Sequence, residues 1–399
     1  MKALNDIVVM DLTRFEAGPR CTYLLGQMGA YIIKVEKAYA GDDERTYPPM
    51  YDLESLAFPT LNLNKRSLSL HLRTEGAKKI LLDLLPHVDV IVQNFRAGTI
   101  EKMGLDWETV HRINPRIIMA NNSGFGQYGP YKFRSAFDTV MQCECGLSNS
   151  FRREAGKPVQ TGGYPLDHNG ATALTVAILA AINQRDVTGE GQYLESDMFA
   201  VGTNFLSGDL SVYGASGETQ PMVPRYPNDF YKDKNGKFVH IACPDECWDS
   251  MKQILNQPEL NNAKYLSRQG RYAAREELNA AISKWVMQYE REEIRHILEP
   301  AGIAVGIVKD YYDLNHDDYL ERMDYYQKID IPYIGITPYP VMPITMSASA
   351  PSYVPSPKIG EQNFEILNRF LGMSQEEVDR LTAEGVLYQA EHICTPPEK

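Results

Sequence analysis

The sequence has little cysteine and no histidine pattern of the kind that builds metal sites. Its 399 residues include six cysteines, and sparse cysteines without paired spacing are typical of a reducing compartment where thiols stay free. Two short spacings, Cys143-x-Cys145 and Cys243-x3-Cys247, lack a second pair of ligands, and the eight histidines form no HExxH motif. The sequence therefore predicts no metal. The remaining cysteines are Cys21 and Cys394.

Long apolar runs and an excess of positive charge are also missing. The longest apolar stretch, residues 171–182, is too short to span a bilayer. The N-terminal "MKALNDIVVMDL" carries Asp6 and Asp11 within a short apolar run, which is atypical of a signal peptide. A net charge of −12 argues against nucleic acid or an anionic membrane as the main partner. We expect a cytoplasmic protein that binds neither nucleic acid nor membrane.

What the chain does contain is an alternation of strands and helices. A hydrophobic content of 43% with 23% charged residues is typical of a soluble globular protein with a sizeable core. Between amphipathic stretches such as "TEGAKKILLDLLPH", short runs rich in β-branched residues predict strands at 7–12, 31–36, 67–72, 89–94, 117–121 and 192–198. This alternation predicts an α/β fold with a mostly parallel sheet covered by helices.

The alternation of strand-like and helical segments ends around Val223. In "PRYPNDFYKDKNGKFVHIAC", Asn-Gly lies between two strand-like runs and predicts a hairpin. We therefore expect a large domain over residues 1–222 and a smaller α+β domain over 223–325. Residues 326–399, which contain the Pro-bounded helical stretch after "PSPKIG", are expected to return and pack on the large domain.

One carboxylate, Asp167, stands out in "GGYPLDHNGATALTVAILAAI". It follows a Gly-Gly/Pro turn and precedes a long run of helix formers, and this position alone favours an N-cap, which stabilises by roughly 1 kcal/mol. A reagent at a helix N-terminus is the alternative. The dipole and free N–H groups there favour an ionised carboxylate, so the two roles are compatible.

A glycine motif at residues 124–129 matches a dinucleotide fingerprint on spacing alone. Gly124, Gly126 and Gly129 follow a predicted strand, but Pro130 and "YKFRS" follow them instead of an apolar helix. The motif also lies after the fifth strand rather than the first. A mobile glycine loop over a reaction site is the better interpretation, and an ordinary turn is the alternative.

Several separate segments resemble one family when taken in order. They are "MDLTRFEAGPRCTYLLGQMGAYIIKVEKAYAGDDER", "NLNKRSLSLHLRTEGAKKILLDLLPHVDVIVQNFRAGTIEKMGLDW", "NPRIIMANNSGFGQYGP", "FDTVMQ", "TGEGQYLESDM" and "PSPKIGEQNFEIL". The chain resembles the family III CoA-transferases of the formyl-CoA and carnitine CoA-transferase type, strongly over roughly residues 3–205. The resemblance implies a Rossmann-like large domain, a small domain and a homodimer of interlocked rings.

The resemblance also implies that Asp167 is the nucleophile. Moving CoA between acids requires a carboxylate that attacks a thioester carbonyl, and an aspartyl-CoA thioester follows without ATP. Acyl-CoA and a free carboxylic acid are the implied substrates, and no permanently bound cofactor is expected. The implied CoA-binding residues are Arg14, Phe15, Ala17, Lys37, Leu72, Arg73, Asn94, Phe95, Lys102 and Met103. Solvated surface is the alternative for each cation, and plain core is the alternative for Phe95.

The substrate pocket is expected to involve Glu16, Gly124, Gly126 and Phe137. Glu16 stands where formyl-CoA transferases have glutamine, which puts a formyl/oxalate pair in doubt, and their tetraglycine loop has no counterpart here. Related racemases have "GHD" where this chain has "AFD", and Phe137 cannot exchange a proton. A racemase or isomerase and a non-catalytic CoA- or nucleotide-binding module remain as alternative functions.

Overall fold

A six-stranded parallel sheet dominates the computed structural model, which describes residues 2–51, 54–150, 156–217, 225–331 and 335–390. The strands are β1 (Val8–Asp11), β2 (Tyr31–Lys37), β3 (Lys65–Leu70), β4 (Val90–Gln93), β5 (Ile118–Ser123) and β6 (Tyr193–Asp197). Their spatial order is β3-β2-β1-β4-β5-β6, with every neighbouring pair parallel. This is the doubly wound order of a Rossmann-type sheet, and the predicted α/β fold is confirmed.

Helices cover both faces of this sheet. The helices in this part of the chain are α1 (Ala17–Gln27), α2 (Ala57–Leu61), α3 (Glu75–Leu84), α4 (Thr99–Lys102), α5 (Trp107–Ile113), α6 (Asp138–Glu144), α7 (Leu147–Ser150), α8 (Pro165–Thr188), α9 (Met198–Phe205) and α10 (Ser207–Ser216), of which α10 has no buried residue. Because successive strand residues point to opposite faces, Met10 of β1 enters one apolar core and Val9 enters the other. Strands buried on both faces are expected of a parallel sheet.

The third strand begins earlier than the sequence pattern indicates. We predicted residues 67–72, whereas β3 runs from Lys65 to Leu70. Lys65 is only 3% exposed because its ammonium group pairs with buried Asp11 on β1. A hydrophobic pattern does not include a lysine whose partner lies 54 residues away in the chain.

Backbone contacts divide the chain into two compact units, Met1–Leu210 with Asp324–Lys399, and Ser211–Met323. The first unit also contains the antiparallel strands β10 (Tyr326–Ile331) and β11 (Gly335–Pro340), followed by helices α17 (Asn363–Leu371) and α18 (Gln375–Ala383). Ile366 and Leu367 of α17 lie in the same apolar core as Met10. The predicted boundary between residues 222 and 223 lies outside the described residues, as does Cys394, and the domain division stays a prediction.

The second unit combines an antiparallel sheet with helices. Its strands β7 (Asn228–Lys232), β8 (Phe238–Ala242) and β9 (Ala304–Ile307) are ordered β9-β8-β7. The Asn-Gly turn of the predicted hairpin joins β7 to β8, with Gly236 at φ +78°. The helices are α11 (Trp248–Leu255), α12 (Arg268–Ala273), α13 (Arg275–Val286), α14 (Arg291–Leu298), α15 (Tyr311–Asn315) and α16 (Asp318–Arg322). The predicted smaller α+β part of the fold is confirmed. Across the described ranges of both units, no helix combines the length and apolar character needed to cross a membrane.

Candidate active site

The first turn after β1 meets the segment after β4, where the strand order reverses. The backbone N–H of Arg14 donates to Oδ1 of Asn94 at 2.9 Å, and the Asn94 amide donates back to the Arg14 carbonyl at 2.6 Å. The Arg14 guanidinium lies 5.3 Å from the centre of the Phe95 ring. The structure thus brings together three predicted CoA-binding residues at the switch point of the sheet, where doubly wound folds bind nucleotides.

Two cations among the predicted CoA-binding residues share one carboxylate. Asp43 accepts from Arg14 at 3.0 Å and from Lys37 at 2.9 Å, with all three side chains partly exposed. A phosphate that binds Arg14 or Lys37 therefore competes with Asp43. Of the other predicted CoA-binding residues, Arg73 and Lys102 are exposed, whereas Leu72 and Met103 pack against the apolar core.

Three buried ion pairs stabilise the turn after β1. This paired cluster consists of Asp11 with Lys65 at 2.9 Å, Lys34 with Asp42 at 2.7 Å, and Glu36 with Arg45 at 2.7 Å. Lys34 also donates to the Thr13 carbonyl at 3.1 Å, and Lys65 to the Pro19 carbonyl at 2.9 Å. These bonds fix the backbone on both sides of residues 14–17.

The pairing keeps the buried Asp11 carboxylate ionised. Burial alone would raise its pKa, but the ammonium groups of Lys65 and Lys34 and the hydroxyls of Thr13 and Thr22 outweigh burial and lower the pKa to about 2. Burial lowers the pKa of Lys65 to about 8, so both members of this pair are charged at neutral pH.

The turn itself has a strained backbone. Phe15 has φ +61°, a region that side-chain-bearing residues seldom adopt, and its N–H donates to Oδ1 of Asp42 at 3.3 Å. Ala17 then begins α1 and is buried. Glu16, between them, makes no capping bond to the helix, so its carboxylate is available for other contacts.

The helix that carries Asp167 begins differently from the prediction. Tyr164, at φ +50°, precedes α8, and Asp167 is the third residue of the helix with no capping bond of its own. The cap comes from Asp138 at the start of α6, whose Oδ2 accepts from the N–H of Leu166 at 2.7 Å and of Asp167 at 3.1 Å. The N-cap interpretation of Asp167 was wrong, because a carboxylate 29 residues away occupies that role.

Asp167 belongs to an acidic cluster with Asp138, Glu16 and Glu44. Burial, followed by the charges of Asp138, Glu16 and Glu44, raises the pKa of the partly buried Asp167 carboxyl to about 8. Burial and the charges of Asp42 and Glu16 raise the pKa of Glu44 to about 7. In the described part of the chain, no three histidine, cysteine or acidic side chains are arranged to hold a metal ion.

A histidine that sequence reasoning passed over completes this cluster. Nε2 of His168 lies 2.8 Å from Oε1 of Glu16, linking the first turn of α8 to the residue before α1. The His168 side chain is 40% exposed and that of Glu16 is 19% exposed. The only sign of this histidine in the sequence is its position next to Asp167, because its partner Glu16 is 152 residues away.

The predicted glycine loop packs against Glu195 of β6 and is hydrogen-bonded to it. Gly126, at φ +81°, packs so closely that an added Cβ would lie 2.9 Å from Oε1 of Glu195, and that oxygen accepts from the Gln127 N–H. A Cβ on Gly124 would collide with that of Ala136, so this glycine permits a close approach of two segments. No dinucleotide-type helix opens there, since the next helix, α6, begins at Asp138. The mobility of this loop stays a prediction. Phe137 precedes α6 and is exposed.

Comparison with known proteins gives consistent matches over nearly the whole chain. A family model described as "CoA-transferase family III" matches residues 4–363. The formyl-CoA:oxalate CoA-transferase of Rhodopseudomonas palustris strain BisB18 is 30% identical, with 97% of each chain covered. The succinyl-CoA–D-citramalate CoA-transferase of Chloroflexus aurantiacus is 29% identical, with 97% of this chain and 98% of the relative covered. A crystal structure of a CaiB/BaiF family protein from Brucella suis has a TM-score of 0.82 at 26% identity, covering 92% of this chain and 99% of that one.

Proposed function

Because the chain belongs to CoA-transferase family III, we propose that it moves CoA from an acyl-CoA to a free carboxylic acid through a covalent thioester on Asp167. The family makes the chain an enzyme of the transferase class, with CoA thioesters as substrates. The identity of the nucleophile and the covalent route are the parts that we propose.

The single observation that carries this proposal is the environment of Asp167. Its carboxyl is partly buried in the first turn of α8, among three other carboxyl groups, and its pKa is raised to about 8. Strongly perturbed pKa values concentrate at functional sites, and a carboxylate with a raised pKa is a better nucleophile once ionised. A purely structural carboxylate is expected to have the opposite surroundings, with a cation or several donors.

The proposed route passes through two mixed anhydrides and one aspartyl-CoA thioester, and no thioester is hydrolysed. The Asp167 carboxylate attacks the acyl-CoA carbonyl, the C–S bond breaks, and an acyl-aspartyl anhydride and CoA thiolate form. The thiolate attacks the aspartyl carbonyl and releases the donor acid, which leaves an aspartyl-CoA thioester. The acceptor carboxylate then attacks this thioester, and the released thiolate attacks the new anhydride at the acceptor carbonyl. Acyl-CoA leaves, and the Asp167 carboxylate is regenerated.

CoA is proposed to bind at the carboxyl ends of β1 to β4, beside the predicted residues from Arg14 to Met103. The contacts of Arg14 with Asn94 and Phe95 at the switch point support this location. We also propose that the working form is a homodimer, as the family resemblance implies.

The acids themselves are proposed to be short carboxylic acids. The relatives are named for formyl-CoA with oxalate and for succinyl-CoA with D-citramalate, and these pairs are the first to assay. Glu16 adds a charge near the reacting acids, so we expect the formyl-CoA and oxalate pair to be the poorer of the two.

Mass spectrometry of the Asp167 peptide tests the nucleophile. Incubation with succinyl-CoA and no acceptor is expected to add CoA to the peptide containing Asp167, in a form that hydroxylamine releases. Asp167→Asn is expected to form no adduct and to lose label transfer between acyl-CoA and free acid. Asp106→Asn serves as the matched control, because it changes a helix-capping carboxylate outside the acidic cluster and is expected to retain both the adduct and the transfer.

Two results would overturn the proposal. One is an adduct on Glu16 or Glu44 instead of Asp167. The other is exchange of the α-proton of a 2-methylacyl-CoA with deuterated solvent while no CoA moves, which would identify a racemase.

A further inference from the structure

We propose that His168 is a positioning residue of this site, which neutralises Glu16 when protonated and so allows Asp167 to ionise for attack. The inference rests on the proposed function, since it assigns a role to the residue next to the proposed nucleophile. It also gives a role to Glu16, the position at which this chain departs from the glutamine of formyl-CoA transferases.

The geometry supports a proton-carrying pair. Nε2 of His168 lies 2.8 Å from Oε1 of Glu16, within hydrogen-bond distance, and the imidazole is 40% exposed. Imidazole gains and loses a proton near neutral pH, and partial exposure lets that proton exchange with water. Glu16 is more enclosed, at 19% exposed, so a charge on the histidine acts on a carboxylate that water screens poorly.

The surroundings of Asp167 explain why such a pair is needed. Among the described residues, the charged groups that act on its carboxyl are Asp138 on α6, Glu16 before α1, and Glu44 after β2, and all three are acidic. Burial is the largest obstacle to ionisation of Asp167, and each of these three charges adds to it. Tyr164 also faces this group, and the charges that act on Tyr164 are again Glu16, Glu44 and Asp167, besides the hydroxyl of Tyr47.

The proton balance is simple. Asp167 releases one proton to solvent and His168 takes up one, so the site changes from a neutral acid beside an unpaired Glu16 carboxylate to an ionised Asp167 beside an ion pair. The net charge of the site is unchanged, while the negative charge moves to the carboxylate that must attack. An incoming acid then meets one unpaired charge fewer than it would without the histidine.

The pH dependence of transfer distinguishes this role from a structural contact. His168→Gln retains a hydrogen-bond donor toward Glu16 but cannot take up the proton. We expect the acidic limb of the pH–rate profile to move to higher pH by about one unit, which is about a tenfold loss of rate on the limb, with the alkaline plateau and the KM for acyl-CoA unchanged. His168→Lys, which restores a cation, is expected to move the limb back.

A double-mutant cycle tests whether His168 acts through Glu16. Glu16→Gln is expected to move the limb to lower pH, and adding His168→Gln to it is expected to cause no further shift. His87→Gln, an exposed histidine at the end of the turn before β4, is the matched control and is expected to leave the limb in place. An equal shift from His168→Gln in both backgrounds, or an equal loss of rate at every pH, would overturn the proposal.

A measurement without substrate separates this inference from the proposed function. The ring-carbon signal of His168, assigned by its disappearance in His168→Gln, is followed by NMR through a pH titration. We expect Glu16→Gln to lower the midpoint of this titration, and a midpoint that does not move would overturn the pairing. An absence of transfer and of adduct at any pH would instead refute the proposed function, and the NMR titration would still decide the coupling.

Discussion

The paired cluster and the acidic cluster both hold carboxyl groups away from water, yet their members differ in ionisation. In the paired cluster every carboxylate has a cation within 2.9 Å, and the pKa of Asp11 is lowered to about 2. In the acidic cluster the neighbours of Asp167 are carboxyl groups, and its pKa is raised to about 8. Burial favours the protonated form of both carboxyl groups, and the two differ because cations and hydroxyls outweigh burial at Asp11, whereas acidic neighbours add to it at Asp167.

This difference separates two tasks. The paired cluster fixes the turn that carries Arg14, Phe15 and Glu16, because Lys34 and Lys65 each bind a backbone carbonyl as well as a carboxylate. The acidic cluster holds one carboxyl in an unfavourable state, which reduces stability and is characteristic of a reacting group. Changing a partner should therefore affect mainly stability in the first cluster and mainly the pH dependence of activity in the second.

The largest expected effect comes from removing a cation of the paired cluster. Lys65→Met leaves the buried Asp11 carboxylate without the cation that pairs with it, and such a change costs about 3–5 kcal/mol of unfolding free energy. Urea unfolding at neutral pH measures it. The double variant Asp11→Asn/Lys65→Met, which leaves no unpaired charge, is expected to recover part of this loss.

Lys79→Met provides the matched control. Lys79 pairs with Asp83 on the exposed face of α3, with its side chain 73% exposed, and such pairs contribute about 0–1 kcal/mol. A loss for Lys65→Met no larger than that for Lys79→Met would remove the distinction between the clusters.

The second prediction is that the proposed nucleophile destabilises the fold at alkaline pH. The pKa of Asp167 is raised from its ordinary value of 3.8 to about 8. Between these values the folded chain retains a proton that the unfolded chain has lost, so stability falls as pH rises through this window. Asp167→Asn removes the effect and is expected to be more stable than the unchanged protein by about 1–2 kcal/mol above pH 8, after allowance for partial exposure. Near pH 4 the two are expected to be equal.

Asp6→Asn is the control for this measurement, since Asp6 is exposed and should change stability by less than about 0.5 kcal/mol at either pH. Thermal unfolding at both pH values gives the comparison. A destabilised Asp167→Asn at alkaline pH would mean that the ionised carboxylate has a favourable partner, contrary to the acidic cluster described above.

The sequence predicted what depends on local pattern and missed what depends on distant partners. The six strands, the hairpin at Asn-Gly and the position of Asp167 at a helix start follow from hydrophobic period and turn chemistry. The missed contacts join residues that are far apart in the chain. Asp138 caps α8 across 29 positions, His168 pairs with Glu16 across 152, and Lys65 of β3 pairs with Asp11 across 54. A single sequence carries no local sign of such polar contacts, because the partners meet only when the sheet is assembled.

Replacing Asp138 is expected to cause the smallest change in stability and to change the pH dependence of activity. Asparagine caps helices about as well as aspartate, so Asp138→Asn is expected to destabilise the protein by less than about 1 kcal/mol. After burial, the charge of Asp138 is the largest cause of the raised pKa of Asp167. Asp138→Asn removes that charge, so the pKa of Asp167 is expected to fall and the acidic limb of the pH–rate profile to move to lower pH. Asp106→Asn is the matched control, because Asp106 caps α5 through the Thr109 N–H at 2.9 Å and is expected to change stability as little without moving the limb. A limb that stays in place in Asp138→Asn would show that the charge of Asp138 does not reach the proposed nucleophile, and the acidic cluster would then no longer explain its raised pKa.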